Sequence, residues 1–151
     1  METLEIDVTR VPFGGDLEDS PAILVVSTGA GASTVDLYKR FRESPERCRS
    51  RTRVVAIVST GVLNTPDQIS ASGRRRDGSS FEMNLETRRF EGPVAGNDPW
   101  VALVRMELGS LEPGAYQLVV KETVLRFAQL HHQERATNPT MSERRMSFKC
   151  I

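Results

Sequence analysis

The sequence predicts an all-β domain in the main: an antiparallel β-sandwich of about seven strands with room for one short helix. Three observations carry this. From Trp100 to Leu108 the residues Trp100, Ala102, Val104, Met106 and Leu108 alternate with Val101, Leu103, Arg105 and Glu107, the period of two that puts one set on one face of a strand. Short apolar runs recur along the chain, each bounded by Gly, Pro, Asp or Ser. The chain has 151 residues, 38% hydrophobic and 26% charged, which suits one domain with a sizeable core.

Leu4, Ile6 and Val8 alternate with Glu5, Asp7 and Thr9, a first strand with one wet face. Pro12 to Pro21 reads as an acidic loop. Ala22–Ser27 and Arg53–Ser59 are continuously apolar apart from their ends, as strands buried on both faces are. Ser33–Arg49 fits two templates. Leu37 and Phe41 stand four apart and Val35 and Tyr38 three apart, as on a helix; Val35, Leu37 and Phe41 also share one face of a strand, interrupted by Lys39. Gly61–Ser79 is rich in Gly, Pro, Asp, Asn and Ser and reads as a long loop or loose hairpin. Phe81, Met83 and Leu85 mark another strand, and Gly92–Asp98 a turn. Trp100–Leu108 then forms a hairpin with a strand through Tyr116, Leu118 and Val120, across Leu111-Glu112-Pro113-Gly114, where Pro suits turn position i+1 and Gly the positive φ of i+2. The domain spans residues 1–128. From 129 to 151 the chain is polar and reads as a tail, with Met146, Phe148 and Ile151 able to dock as a final strand.

Equal numbers of acidic and basic residues, 20 each, remove any overall pull toward polyanions or membranes. No run of about 18 apolar residues is present, so no membrane-spanning helix is expected. The start, Met1-Glu2-Thr3-Leu4-Glu5, is not a secretory signal, and a natural Met1 points to the cytoplasm. Cys48 and Cys150 read as free thiols of a reducing compartment, with a disulfide between them as the alternative. With the adjacent His131 and His132 they match no zinc-ligand spacing, so neither a metal nor another cofactor is expected.

The neutral total hides a gradient. Residues 1–38 carry seven acids and one base; residues 39–89 carry twelve bases and six acids. Arg47, Arg49, Arg51 and Arg53 alternate with Cys48, Ser50 and Thr52. In an extended segment their guanidinium groups form a comb at about 6.6 Å spacing, suited to an acidic protein surface or a phosphate backbone. Arg74, Arg75 and Arg76 join it, with Asp77-Gly78 as their turn. No aromatic residue lies inside the comb, as stacking on bases would want. Gly29-Ala30-Gly31-Ala32-Ser33 invites a phosphate-loop reading but lacks the Gly-Lys-Ser/Thr ending and the third dinucleotide Gly. No catalytic residues are assigned, because the two His follow the last strand and no Ser sits in a nucleophile elbow. Arg144-Arg145-Met146-Ser147 has the form of a basophilic kinase motif.

Leu111-Glu112-Pro113-Gly114-Ala115-Tyr116-Gln117-Leu118-Val119-Val120 resembles the Leu-x-Pro-Gly-x-Tyr run of immunoglobulin-like and fibronectin-like sandwich domains. The resemblance implies a tyrosine corner, in which the Tyr hydroxyl bonds back to nearby backbone. It implies architecture and no activity. The expected function is therefore a non-enzymatic interaction module that binds a protein partner, its own copy or a protease through loops or an exposed strand edge, with the loop Gly61–Ser79 and the arginine comb as its candidate surfaces. Two alternatives stand beside it: an anion- or nucleic-acid-binding domain using the arginines, and a nucleotide-binding or enzyme domain around Gly29–Ser33.

Overall fold

A computed structural model describes residues 2–14, 22–29, 31–91, 98–130, 133–136 and 139–151. Most of the acidic loop over 12–21 and of the turn over 92–98 lies outside them, as do His131 and His132. Eleven strands and one helix are found among the described residues: β1 Glu2–Leu4, β2 Ile6–Pro12, β3 Ile23–Ser27, α1 Thr34–Phe41, β4 Glu46–Arg47, β5 Arg53–Ser59, β6 Gln68–Arg75, β7 Ser80–Glu91, β8 Trp100–Ser110, β9 Gly114–Leu130, β10 Gln133–Ala136 and β11 Thr140–Cys150. They form two sheets. One runs β1-β6-β7-β9, with β10 and β11 both pairing β9; the other runs β2-β8-β5-β3-β4.

The sheets share a core. Phe81, Met83 and Leu85 of β7 and Leu118 and Val120 of β9 meet Val54, Ala56 and Val58 of β5 and Val104, Met106 and Leu108 of β8. At one end Phe81, Tyr116 and Phe148 close it, with ring centroids 5.5–6.4 Å apart. Gly73 of β6 leaves the room that the Met106 side chain occupies; a Cβ there would fall 2.2 Å from the sulfur.

The central strands of the five-stranded sheet, β3, β5 and β8, are buried on both faces. Leu24, Val26, Val55, Ile57, Val101 and Leu103 point away from the shared core and are covered by Leu37 and Tyr38 of α1. This explains the unbroken apolar runs of β3 and β5. It also resolves Ser33–Arg49: Thr34–Phe41 takes the helical template, and Glu46–Arg47 is the short strand β4. Ser33 caps the helix by accepting the Asp36 N–H at 3.4 Å, and Tyr38 donates its hydroxyl to Ser59 Oγ at 3.2 Å.

Four expectations change. The predicted hairpin from Trp100 to Phe127 is not one: β8 and β9 belong to different sheets. Period-two alternation shows which face of a strand is apolar, and two such strands can stack face to face as well as pair side by side. Leu111, at 1% exposure, is buried in the shared core where the chain crosses over. Second, the pairing is not wholly antiparallel. β7 and β9 run parallel from Ser80↔Gln117 to Glu91↔Ala128, and β3 and β4 pair parallel at Val25↔Glu46 and Val26↔Arg47. Third, Gly61–Ser79 contains β6, whose inward positions are Ile69 followed by the small Ala71 and Gly73, so no apolar stripe shows. Fourth, the C-terminal stretch, read as a tail able to dock as a final short strand, holds the eleven-residue edge strand β11, paired with β9 from Thr140↔Val124 to Cys150↔Gly114.

The cysteines are joined. Cys48 and Cys150 form a disulfide across 102 positions of sequence, with Cα atoms 4.6 Å apart. The free-thiol reading fails because the last strand returns beside residue 48. Ile151 N–H donates to the Cys48 carbonyl at 3.1 Å, and Ser50 N–H to the Ile151 carbonyl at 2.8 Å. The Tyr116 hydroxyl donates to the Glu112 carbonyl at 2.6 Å.

Candidate binding cleft beside the helix

The predicted arginine comb does not exist as one extended face. β4 and β5 flank β3 on opposite edges, so Arg47 and Arg53 lie on either side of it. Between them the chain turns at Ser50–Thr52, with Arg51 at φ 61°, the left-handed region that few non-Gly residues adopt. Arg53 is committed elsewhere. Its Nε and Nη2 donate to both carboxylate oxygens of Glu107, at 3.0 and 2.8 Å. Arg105 donates to the same carboxylate at 3.2 Å and to the Ala32 carbonyl at 2.7 Å, tying the loop before α1 to β8. Burial pushes the Glu107 carboxyl up, but the hydrogen bond from Arg53 and the nearby Arg105 charge outweigh it and hold it below its ordinary value.

Arg74, Arg75 and Arg76 lie at the end of the other sheet. Arg74 is ion-paired with Glu82. Arg75 stacks over the Phe81 ring at 5.2 Å and donates to the carbonyls of Asp77 and Gly78 at 3.2 and 2.6 Å. Arg76 continues the hairpin, its N–H bonded to the Ser80 carbonyl. These three close the β6–β7 turn and do not join Arg47 or Arg49.

Arg47 and Arg49 do meet, with residues that sequence reasoning missed. They line a cleft of about 580 Å³ together with Arg40 and Phe41 of α1. The Arg40 guanidinium lies 5.1 Å and that of Arg47 5.4 Å from the Phe41 ring centroid, within reach for cation–π attraction. Gly29 lines the same cleft, so two separate sequence candidates, the glycine loop and part of the comb, converge there. The opposite rim is hydroxylic and internally bonded. Ser27 Oγ accepts the Arg49 N–H at 2.7 Å and the Thr52 hydroxyl at 2.9 Å, which fixes the backbone at Arg49. No Asp or Glu stands among the described residues lining the cleft. Arg40, Arg47 and Arg49 are exposed, so their charges face water and any entering ligand. The one signal available in sequence was the helical template itself: a helix ending near Phe41 folds Arg40 and Phe41 back toward Arg47.

The glycine loop does lead into a helix, but its N-terminus is already occupied. The Ser33 side chain caps it, and Asp36 places a carboxylate in the first turn, where a bound phosphate would need an unmet positive end. Among the described residues no three His, Cys, Asp or Glu side chains cluster as a metal site would require, and no helix is long and apolar enough to cross a membrane. No family model, curated protein or solved structure matches the chain.

Proposed function

We propose that the protein is a non-enzymatic interaction module, a two-sheet sandwich of immunoglobulin-like type whose cleft beside α1 holds an acidic segment of a partner protein. The observation that carries this is the convergence of Arg40, Arg47 and Arg49 around Phe41 with no carboxylate among the described lining residues. Guanidinium groups present planar paired donors that match carboxylates. The apolar floor of Phe41 and Leu37 suits a side chain flanking the acidic residues. A protein partner fits better than nucleic acid. A phosphate backbone wants an extended basic track, and the arginines that could have extended it are paired or turned to other surfaces.

Fluorescence anisotropy with a labelled Glu-rich peptide tests the reading, with single-stranded DNA of equal charge as the competitor. Binding is expected to weaken with salt and to fall roughly tenfold for each of Arg40→Ala, Arg47→Ala and Arg49→Ala, the loss of one hydrogen bond to a charged group. Arg76→Ala, on the other sheet, is expected to leave it unchanged. Equal affinity in the triple variant overturns the proposal. Tighter binding of the DNA, with a steep salt slope, replaces it with the nucleic-acid reading.

A further inference from the structure

We propose that two copies of this chain associate through the free edge of β11, antiparallel, about a two-fold axis at Arg144. This goes beyond the cleft reading and uses a different surface. A sheet edge is a template for another strand unless it is short, broken or covered. β1 has three residues and β4 two, and β2 ends in a proline. β11 has eleven residues and no proline.

The direction of its backbone groups is settled by its far end. Lys149 N–H donates away from β9, to the Glu46 carboxylate, and Ile151 N–H to Cys48. On the other side of β9, Gln117, the residue opposite Ser147, sends its N–H to Ser79 beyond the β7 edge. Alternation along the strand then turns the N–H and C=O of Met141, Glu143, Arg145 and Ser147 outward as well. Beyond Ser147 the edge is closed by Glu46 and the Cys48–Cys150 bridge. Among the described residues the open ladder therefore runs from Met141 to Ser147, and its midpoint is Arg144.

Charge selects the same register. With the axis at Arg144, Glu143 of each copy lies directly opposite Arg145 of the other. Within one chain these two already pair, Arg145 Nη2 to Glu143 Oε2 at 3.0 Å, so the dimer makes a square of four alternating charges. Moving the axis by one residue either way sets Glu143 against Glu143 or Arg145 against Arg145. Guarding charges on an edge are usually of one sign; here they are self-complementary. The two Arg144 side chains meet at the axis but lie on the core side, where the guanidinium reaches the Ser59 carbonyl at 3.5 Å and the Glu122 carboxylate at 4.0 Å. Met141, 77% exposed, comes opposite Ser147 of the second copy.

Sedimentation velocity over a concentration series tests this on the full chain. Reversible dimerisation is expected for the natural sequence. Glu143→Arg and Arg145→Glu are each expected to weaken it at least about tenfold, because each sets like charges opposite twice. The double variant that reverses both charges, and an equal mixture of the two single variants, are expected to restore it. Glu143→Pro removes an outward N–H and is expected to abolish it with little change in melting temperature, since a proline is tolerated on the open side of an edge strand. A natural chain that stays monomeric at its highest soluble concentration, single variants that dimerise as well as it does, or a double variant that does not recover, overturns the proposal. Peptide binding by the monomeric Arg145→Glu variant reads the cleft separately, so either idea can fail without the other.

Discussion

Reducing the Cys48–Cys150 disulfide removes a cross-link that closes 102 positions of chain. A cross-link stabilises by denying the unfolded chain its freedom, and a loop of about 100 residues corresponds to about 4.7 kcal/mol at 25 °C. Unfolding entropy is about 2.1 cal/mol/K per residue, so the 151 residues give about 0.32 kcal/mol/K and the cross-link is worth about 15 °C in Tm. That is a large part of the 5–15 kcal/mol typical of a whole domain. The assay is a pair of calorimetric melts, one of the oxidised protein and one after reduction and alkylation, with mass spectrometry to establish the thiol state. The Cys48→Ala, Cys150→Ala double variant repeats it without reductant. Amide exchange adds a local readout, because Ile151 N–H donates to Cys48 and Ser50 N–H to Ile151 beside the bridge, and both should lose protection first. Melts that agree within about 2 °C would refute the reasoning. The loop would then be held closed equally well in the unfolded chain, or the sulfurs would not be joined in solution. Disulfides persist in oxidising compartments and are reduced in the cytosol, so the two melts also give the stability of the protein in each setting.

Gly73→Ala should destabilise by about 1–2 kcal/mol, the cost of overpacking less the gain from a stiffer unfolded chain, because the new methyl meets the buried Met106 sulfur; a chemical melt reads it, and adding Met106→Val should recover part of the loss. Glu82 is 1% exposed on the outer face of the six-stranded sheet. Burial raises its carboxyl, but hydrogen bonds from Lys121, at 2.6 Å, and Arg74 win and hold it below its ordinary value. Its contribution is then complete above the unfolded carboxylate value, about 4.3, and disappears as pH falls through the lower folded value. Glu82→Gln should lower Tm at neutral pH and flatten the acid limb of a Tm-against-pH curve; a parallel curve contradicts the assignment.

What could be read from the sequence was mostly local. The apolar runs of β3 and β5 announced strands covered on both sides, and the alternation of β7, β8 and β9 was visible residue by residue. Which strand lies beside which was not, because the same alternation serves neighbours in one sheet and neighbours across a core. β6 escaped notice because Ala71 and Gly73 give no apolar contrast, and the smallness of Gly73 is set by Met106 on a strand more than 30 positions away. In the cleft, Arg47 and Arg49 were legible as an unusual density of positive charge. Arg40 and Phe41 were not, since their approach depends on α1 being a helix, and eight residues with both periodicities do not decide that. The disulfide depended on the last strand folding back, which a polar composition conceals.

The chain passes between the two sheets four times, at β1–β2, β5–β6, β7–β8 and β8–β9. The parallel pairing of β7 with β9 requires β8 to have left for the opposite sheet and returned. Neither sheet is thus a separable piece, and no cut outside the terminal strands leaves a fragment with a complete core. Assembly must wait for partners distant in sequence, which places this domain among slow folders, with rates on the order of milliseconds to seconds. Its unfolding is correspondingly collective: the chain is laced through both layers, and loosening one stitch releases the weave.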